Sequence, residues 1–140
     1  MTNKIKSLQE LSAIIADLKK QGKKVAQSHG CFDLLHVGHV KHFEAIKKFA
    51  DVLVVTLTQD KFINKGPGRP LYNENMRAEY VSALEVVDFV AINNAATATE
   101  TIKLLQPNFY VKGQEYKKRE DDITQKIYEE EDAIKAIVVK

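Results

Sequence analysis

All four histidines of the chain, His29, His36, His39 and His42, lie within one 14-residue segment. With the preceding serine, residues 28 to 42 read Ser-His-Gly-Cys-Phe-Asp-Leu-Leu-His-Val-Gly-His-Val-Lys-His. It follows an apolar run typical of a strand and leads into an amphipathic run typical of a helix. Strand-to-helix turns of parallel α/β sheets bind phosphate groups, because the first N–H groups of the helix and its dipole favour an anion. We therefore expect the chemistry of this protein at this turn.

The residue types at the turn are compatible with three roles. In a phosphate site, Gly30 lets the backbone approach a ligand, and His36 and His39 add donors beside a helix whose start Gly38 leaves uncrowded. In a zinc site, three histidines bind the metal. However, His36, His39 and His42 are spaced by three residues and drift around a helix, whereas helical zinc sites use an i, i+4 pair. In the third role the rings only cap or pack.

Packing is the favoured interpretation for the two outer histidines. We expect His42 to lie on an exposed face of the helix and His29 to orient the turn. His36 and His39, in contrast, stand among glycines at the position where phosphate binds, and we expect them to act on a ligand.

Length and composition restrict the class of protein. A chain of 140 residues with 44% hydrophobic and 29% charged residues is typical of one globular domain. The 21 basic and 19 acidic residues nearly balance, which argues against bulk binding to nucleic acid or to a membrane. The single cysteine, Cys31, cannot form an intrachain disulfide, and the N-terminus has no apolar stretch typical of a signal peptide. We expect a cytoplasmic protein.

Helices and strands alternate in the predicted structure around this turn. Ser7 begins a capping box, and further helices follow from apolar spacing, one carrying Val40, Phe43, Ile46 and Phe49, and one, capped by Asn73, carrying Met76, Tyr80, Leu84 and Val87. A helix is expected from Thr97 or Thr99 to Pro107, and another from about Ile123. Strands are predicted at 24–28, 52–58, 87–92, 109–111 and 137–139. This alternation predicts a doubly wound, Rossmann-like three-layer sandwich with a parallel sheet.

Residues 30 to 39, Gly-Cys-Phe-Asp-Leu-Leu-His-Val-Gly-His, resemble the signature of the cytidylyltransferase-like nucleotidyltransferases. The match is specific because Gly-x-Phe-Asp precedes His-x-Gly-His at the end of a strand. The chain is most similar to the adenylyltransferase domain of ADP-heptose synthase, and glycerol-3-phosphate cytidylyltransferase is more distant. The residues that carry the similarity beyond the signature are Arg69-Pro70, Arg77, Ala83-Leu84-Glu85, Val87-Asp88 and Val111-Lys112-Gly113 with Tyr116.

The resemblance implies the nucleotidylyltransferase fold and an enzyme that moves AMP or CMP from ATP or CTP onto the phosphate of a sugar or polyol phosphate. Pyrophosphate is released, and a heptose 1-phosphate adenylyltransferase of lipopolysaccharide biosynthesis is the implied type. Substrate-bound Mg²⁺ is the implied cofactor, with no protein ligand set for a metal apparent, and relatives often form homodimers. The alternatives are a glycerol-3-phosphate cytidylyltransferase-like enzyme and a non-catalytic nucleotide-binding module.

The resemblance also implies three groups of site residues. The catalytic residues are His36, His39 and Lys65; the nucleotide-binding residues are Gly30, Cys31, Phe32, Asp33, Gly38, Lys112, Gly113 and Gln114; the phosphate-binding residues are Arg69 and Arg77. Lys65 and Arg69 lie on a Gly/Pro loop and are expected to close over the triphosphate, or else are solvated loop charges. Arg77 contacts phosphate or pairs with Glu74. Asp33 approaches Mg²⁺ or orients His36.

We expect one nucleotidyltransferase domain over residues 1–140. Members of the resembled family usually continue past the last strand into a Ser/Thr-rich turn and a short helix, and some are joined to a sugar kinase. The expectation is therefore that this domain is truncated at its C-terminus or is part of a longer chain.

Overall fold

The computed structural model describes residues 3–63, 66–112 and 135–138. Its helices are α1 (Leu8–Lys20), α2 (Val37–Ile46), α3 (Glu74–Ser82) and α4 (Thr99–Leu105), and its strands are β1 (Val25–Gly30), β2 (Val52–Thr58), β3 (Phe89–Asn93), β4 (Phe109–Lys112) and β5 (Lys135–Val138). The predicted helix near Ile123 and the predicted site residues Lys65, Gly113 and Gln114 lie outside the described residues.

The five strands form one sheet in the order β3-β2-β1-β4-β5. The first four strands of that order are parallel to one another, as predicted, but β5 pairs antiparallel to β4. Strand β5 thus adds an antiparallel edge to the predicted parallel sheet. An apolar run indicates a strand but not its direction, and antiparallel edges are common on parallel sheets. The strand order reverses between β1 and β4, where doubly wound sheets bind their ligands.

Helices cover both faces of the sheet. Phe43 and Ile46 of α2 and Val81 of α3 join one buried cluster, whereas Ile15 of α1 and Leu105 of α4 join a second cluster on the opposite face. Strand β2 contributes alternate residues to the two clusters, as a strand buried on both faces must. The predicted doubly wound three-layer sandwich is thereby confirmed.

The predicted apolar stripe of α3 is wrong in its extent and at Met76, although Tyr80, Leu84 and Val87 do pack in or against the core. Asn73 caps the helix as expected, with its side chain accepting from the Met76 amide at 2.8 Å. The helix ends at Ser82, however, so a spacing counted as far as Val87 runs through a turn. Met76 is 48% exposed, and Ala78 and Val81 face the sheet instead.

Two predictions for α2 are also wrong. Phe49 lies beyond the end of the helix and is 42% exposed. His42 is not on an exposed face, since only 7% of it is accessible to solvent. It lies beside Phe43 with its Nε2 atom 3.3 Å from the Ser28 hydroxyl of β1, so the helix buries a wider stripe than a three-residue spacing indicates. No described helix is long and apolar enough to cross a membrane.

Candidate functional site

The signature histidines lie at the start of α2 and bind its backbone through one ring nitrogen each. His36 is the N-cap, and its Nδ1 atom accepts from the Gly38 amide at 3.0 Å. The Nδ1 atom of His39 accepts from the His36 amide at 3.2 Å, which completes a reciprocal capping box made of two imidazoles. The two ring centroids are 4.1 Å apart. The geometry thus places both histidines at a helix N-terminus, as the sequence predicts, and in addition pairs them through the capping box.

This capping determines where the ring protons lie. A nitrogen that accepts a hydrogen bond from an amide carries no proton, so each neutral ring has its proton on Nε2. His36 and His39 are therefore both Nε2–H donors. Burial lowers the pKa of His36 from its ordinary value, which favours the neutral ring further. Two neutral donors beside the positive end of a helix dipole form an environment suited to phosphate oxygens.

Packing within the signature turn explains one of its glycines. Phe32 has a φ of +50°, and its ring packs edge-on against His39 and Phe43. A Cβ at Gly30 would lie 3.0 Å from the Phe32 ring. In this structure Gly30 makes room for Phe32, which in turn supports the His39 ring. The approach of the Gly30 backbone to a ligand stays a prediction.

The carboxylate of Asp33 binds a neighbouring loop. It is 3% exposed, and its two oxygens accept from the backbone amides of Leu71 at 2.8 Å and Tyr72 at 2.9 Å. Burial opposes ionisation, but these two amides, followed by the charges of Arg69 and Arg77, outweigh it and hold the pKa of Asp33 below its ordinary value. The described contacts of this carboxylate do not include His36, so the geometry does not support an orienting role toward that ring.

Arg69 and Arg77, both predicted phosphate ligands, differ in exposure. The Arg69 side chain is 33% exposed, and its Nε atom lies 3.0 Å from Asp33 Oδ2. The Arg77 side chain is fully buried. It donates to the carbonyl oxygens of Cys31, Thr58 and Tyr72 and to Asp60 Oδ1, which is 2.6 Å away.

Arg77 therefore connects the ends of β1 and β2 to the start of α3. Its ionic partner is Asp60 and not Glu74, which instead accepts from the Asp60 amide. The pairing with Glu74 considered from the sequence is wrong, because the i, i+3 spacing says nothing about the loop after β2. Direct phosphate contact by Arg77 stays a prediction, and in this structure protein acceptors surround its guanidinium.

Tyr80 is a site residue that the sequence reasoning missed. Its hydroxyl donates to the carbonyl oxygens of Phe32 and Asp33, which fixes the backbone of the signature turn. Burial, followed by the charge of Asp33, raises the pKa of Tyr80 to about 12, so the hydroxyl remains a donor. The apolar spacing places Tyr80 in a core stripe, and only its phenolic hydroxyl indicates that the residue also has a polar role.

A polar chain runs along the opposite sheet face and includes His29. Its Nδ1 atom is 2.9 Å from the Thr56 hydroxyl, and its Nε2 atom is 3.4 Å from the Thr58 hydroxyl. Thr56 also accepts from the amide of the fully buried Gln27 at 3.0 Å. Burial lowers the pKa of His29. These contacts anchor the end of β1, in line with the structural role expected for His29.

The other predicted nucleotide ligands surround the same sheet edge. Gly38 is buried in the first turn of α2, Cys31 is half-buried directly after β1, and Lys112 is the last residue of β4, the strand next to β1. Among the described residues, no three histidine, cysteine or acidic side chains are grouped closely enough to bind a metal ion. The zinc interpretation therefore finds no support in the described part of the chain.

Comparison with known proteins yields one family and a set of relatives. The family model described as Cytidylyltransferase-like matches residues 28–139. The chain is 46% identical over 114 residues to the bifunctional protein HldE of Sulfurimonas denitrificans, and 39% identical over 135 residues to that of Aliarcobacter butzleri. These matches cover 80% and 95% of this chain but 24% and 28% of those proteins. The chain thus spans about a quarter of the length of these relatives.

A solved structure has the same fold. The crystal structure of the lipopolysaccharide core biosynthesis protein from Thermoplasma volcanium superposes with a TM-score of 0.62 and 29% sequence identity. The match covers 77% of this chain and 88% of that one.

Proposed function

The chain belongs to the cytidylyltransferase-like family, and we propose that this nucleotidyltransferase domain transfers AMP from ATP onto the phosphate of a sugar phosphate and releases pyrophosphate. The resemblance drawn from residues 30–39 is confirmed by the family match. One observation carries the proposal. His36 and His39 are both held as Nε2–H donors at the start of α2, beside the point where the strand order reverses.

The reaction requires little from the protein beyond alignment and charge stabilisation. An oxygen of the acceptor phosphate attacks the α-phosphorus of the nucleotide and forms a new P–O bond. The bond from that phosphorus to the oxygen bridging the β-phosphate breaks, and pyrophosphate leaves with the bridging oxygen. A phosphate monoester has a second pKa of about 6 and is largely ionised at pH 7, so the nucleophile needs no strong general base. Catalysis then depends on positioning and on stabilising negative charge.

His36 and His39 would provide that stabilisation by donating from Nε2 to oxygens of the α-phosphate and of the leaving pyrophosphate. Neutral donors suit this role because they bind the developing charge without having to lose a proton. Arg69, together with Lys65 on the same loop, would contact the triphosphate from the other side. Because Arg77 is buried among protein acceptors, we propose that it supports the site by binding the backbone carbonyl groups of Cys31 and Thr58.

Nucleotide recognition is proposed for the backbone and side chains around the ends of β1 and β4. Cys31, Phe32 and Gly38 lie on the β1 side. Lys112 ends β4, and Gly113 and Gln114 follow it in sequence, where ribose or base would be bound.

Mg²⁺ is proposed as a substrate-bound cofactor that would neutralise charge on the triphosphate. The carboxylate of Asp33 does not fit a metal-ligand role, because two backbone amides and Arg69 already contact it. We therefore assign no described residue to the metal, which triphosphate oxygens and water would bind. The homodimer remains a proposal that rests on the family resemblance, and the cytoplasmic location remains one that rests on the single cysteine, Cys31.

ATP and a heptose 1-phosphate are the substrates that the similarity to the HldE proteins favours. The test is pyrophosphate release with Mg²⁺, with ATP or CTP as donor, across heptose 1-phosphates, other sugar 1-phosphates and glycerol 3-phosphate. We expect turnover with ATP and a sugar 1-phosphate. Turnover restricted to CTP and glycerol 3-phosphate would favour the cytidylyltransferase alternative. Nucleotide binding without turnover for any pair would instead indicate a binding module and contradict the proposal.

A further inference from the structure

Asp33 has the contacts of a structural clamp, although it lies inside the signature turn. Its side chain is 1% exposed. The amides of Leu71 and Tyr72 occupy one carboxylate oxygen each, so the turn after β1 holds residues 69–72 in place. A carboxylate with two amide donors and a cation around it has little capacity left for a ligand.

Arg69 is the one cation in direct contact with that carboxylate among the described residues. Its Nε atom lies at ion-pair distance from Asp33 Oδ2, without the alignment of a hydrogen bond. Within residues 3–63, 66–112 and 135–138, its two terminal nitrogens form no hydrogen bond with a protein acceptor, and its ion pair with Asp33 is made through Nε. The guanidinium is planar, so an arginine approached through Nε presents its terminal N–H groups on another edge. A third of the side chain remains open to solvent.

We propose that Asp33 is a positioning residue that orients Arg69, so that the terminal nitrogens of this arginine bind the triphosphate at the start of α2. The proposal rests on the proposed function, in that the site must bind a nucleoside triphosphate. Asp33 acts through its charge on Nε and through its hold on the backbone of residues 69–72. It is three residues before His36. In this proposal the same turn would therefore bring the histidine donors and the arginine to one anion.

The direction in which neutralising Asp33 changes the affinity for anions distinguishes this positioning role from simple charge repulsion. A carboxylate close to a triphosphate repels it, so neutralising an uninvolved Asp33 would strengthen anion binding. If Asp33 orients Arg69, Asp33→Asn weakens binding. The test is calorimetric titration with ATP and with inorganic tripolyphosphate, both with Mg²⁺, on the folded protein. We expect D33N to bind both ligands about tenfold more weakly; unchanged or tighter binding would overturn the proposal.

A double-mutant cycle then tests whether Asp33 acts through Arg69. R69A should weaken binding in the wild type by about tenfold or more and should have a much smaller effect in the D33N background. Equal effects in both backgrounds would show that Asp33 merely supports the fold. Lys103→Ala, which removes one positive charge from the last turn of α4, is the matched control and should bind both ligands like the wild type.

R69K provides a readout that does not depend on the stability of D33N. A lysine retains the charge but has a single point of contact, so it cannot be held by Asp33 and face the triphosphate at once. We expect R69K to bind as weakly as R69A, and wild-type affinity in R69K would contradict the proposal. The binding assay requires no acceptor, so a protein that binds ATP without turnover would refute the proposed function while the cycle still tested Asp33.

Discussion

At the scale of single residues, the two signature histidines combine a structural and a chemical role in one ring. Nδ1 of each accepts from a backbone amide at the start of α2, and this contact directs the proton to Nε2. Protonation of Nδ1 would place a donor against a donor, so the fold itself opposes a cationic His36 or His39. The capping contacts thereby favour the neutral, Nε2-protonated form of each ring.

The first prediction concerns the protonation of His36. Burial lowers its pKa, so we expect its ring to titrate below 6.5, the ordinary value of histidine. In ¹⁵N and ¹H NMR spectra the neutral ring should carry its proton on Nε2, as the capping contact requires. The chain unfolded in urea is the control and should titrate near 6.5. A neutral ring protonated on Nδ1 would contradict the capping geometry.

The second prediction separates the two functions of His39. In His39→Gln the side-chain amide can place a donor near the Nε2 position, whereas in His39→Asn the side-chain oxygen can replace Nδ1 as acceptor for the His36 amide. We expect the Asn variant to lose about 100-fold or more in kcat, as when one donor to a transition state is removed. The Gln variant should retain more activity but lose about 1 kcal/mol of stability with the cap. Equal kcat values in the two variants would argue against an Nε2 donor in catalysis.

At the scale of elements, a single buried side chain joins the structures that meet at the site. Arg77 projects from α3 and donates to carbonyl oxygens at the ends of β1 and β2, at Cys31 and Thr58. Backbone carbonyls beyond the end of a strand lack partners in the sheet, and a guanidinium can satisfy several of them at once. Tyr80, one turn further along α3, donates to Phe32 and Asp33. Helix α3 thus holds the signature turn in shape.

The third prediction follows from the burial of Arg77. Arg77→Lys retains the positive charge but cannot reach all of its acceptors, so buried carbonyl oxygens lose their donors. We expect a loss of about 3 kcal/mol in the free energy of unfolding, measured by urea denaturation. Asp60→Asn is the matched control, because the Asp60 side chain is 38% exposed and asparagine retains an oxygen that can accept from Arg77, so this substitution should cost less than Arg77→Lys. Equal losses in the two variants would mean that the ion pair with Asp60, and not the contacts with the carbonyl oxygens, accounts for the stability that Arg77 contributes.

How well these elements can be predicted from the sequence depends on whether the residues that determine them are neighbours in the chain. The capping box at Ser7 and the β-branched run of β2 depend on neighbouring residues, and both were predicted correctly. The buried face of α3 was missed because the apolar spacing was counted past Ser82, where the helix ends, and because Arg77 is buried by acceptors at the ends of two distant strands. The signature histidines were identified by type and spacing. The role of Asp33 was not, because its partners lie 38 and 39 residues away.

At the scale of the whole molecule, polar side chains are buried between the sheet and its helix layers on both faces. His42 pairs with Ser28 beneath α2, whereas the chain from Gln27 through Thr56 to His29 lies on the other face. Buried polar groups that bind one another help specify a single packing, but a titratable group among them makes folding depend on pH. His42 has the larger effect, because burial lowers its pKa to about 4.

The last prediction is the pH dependence of global stability. In the unfolded chain His42 titrates near 6.5, but in the folded protein it stays neutral down to about pH 4. Between these values the unfolded state binds more protons than the folded state, so the stability contributed by the neutral ring is complete above pH 6.5 and is lost as the pH falls toward 4. The difference between these two pKa values corresponds to about 3 kcal/mol at most. His29 changes stability in the same direction.

Urea denaturation between pH 7.5 and 4 should show this decline in the wild type and a shallower one in His42→Gln. Parallel curves for the two proteins would mean that folding does not lower the pKa of His42 and that its burial beside Ser28 does not control its charge.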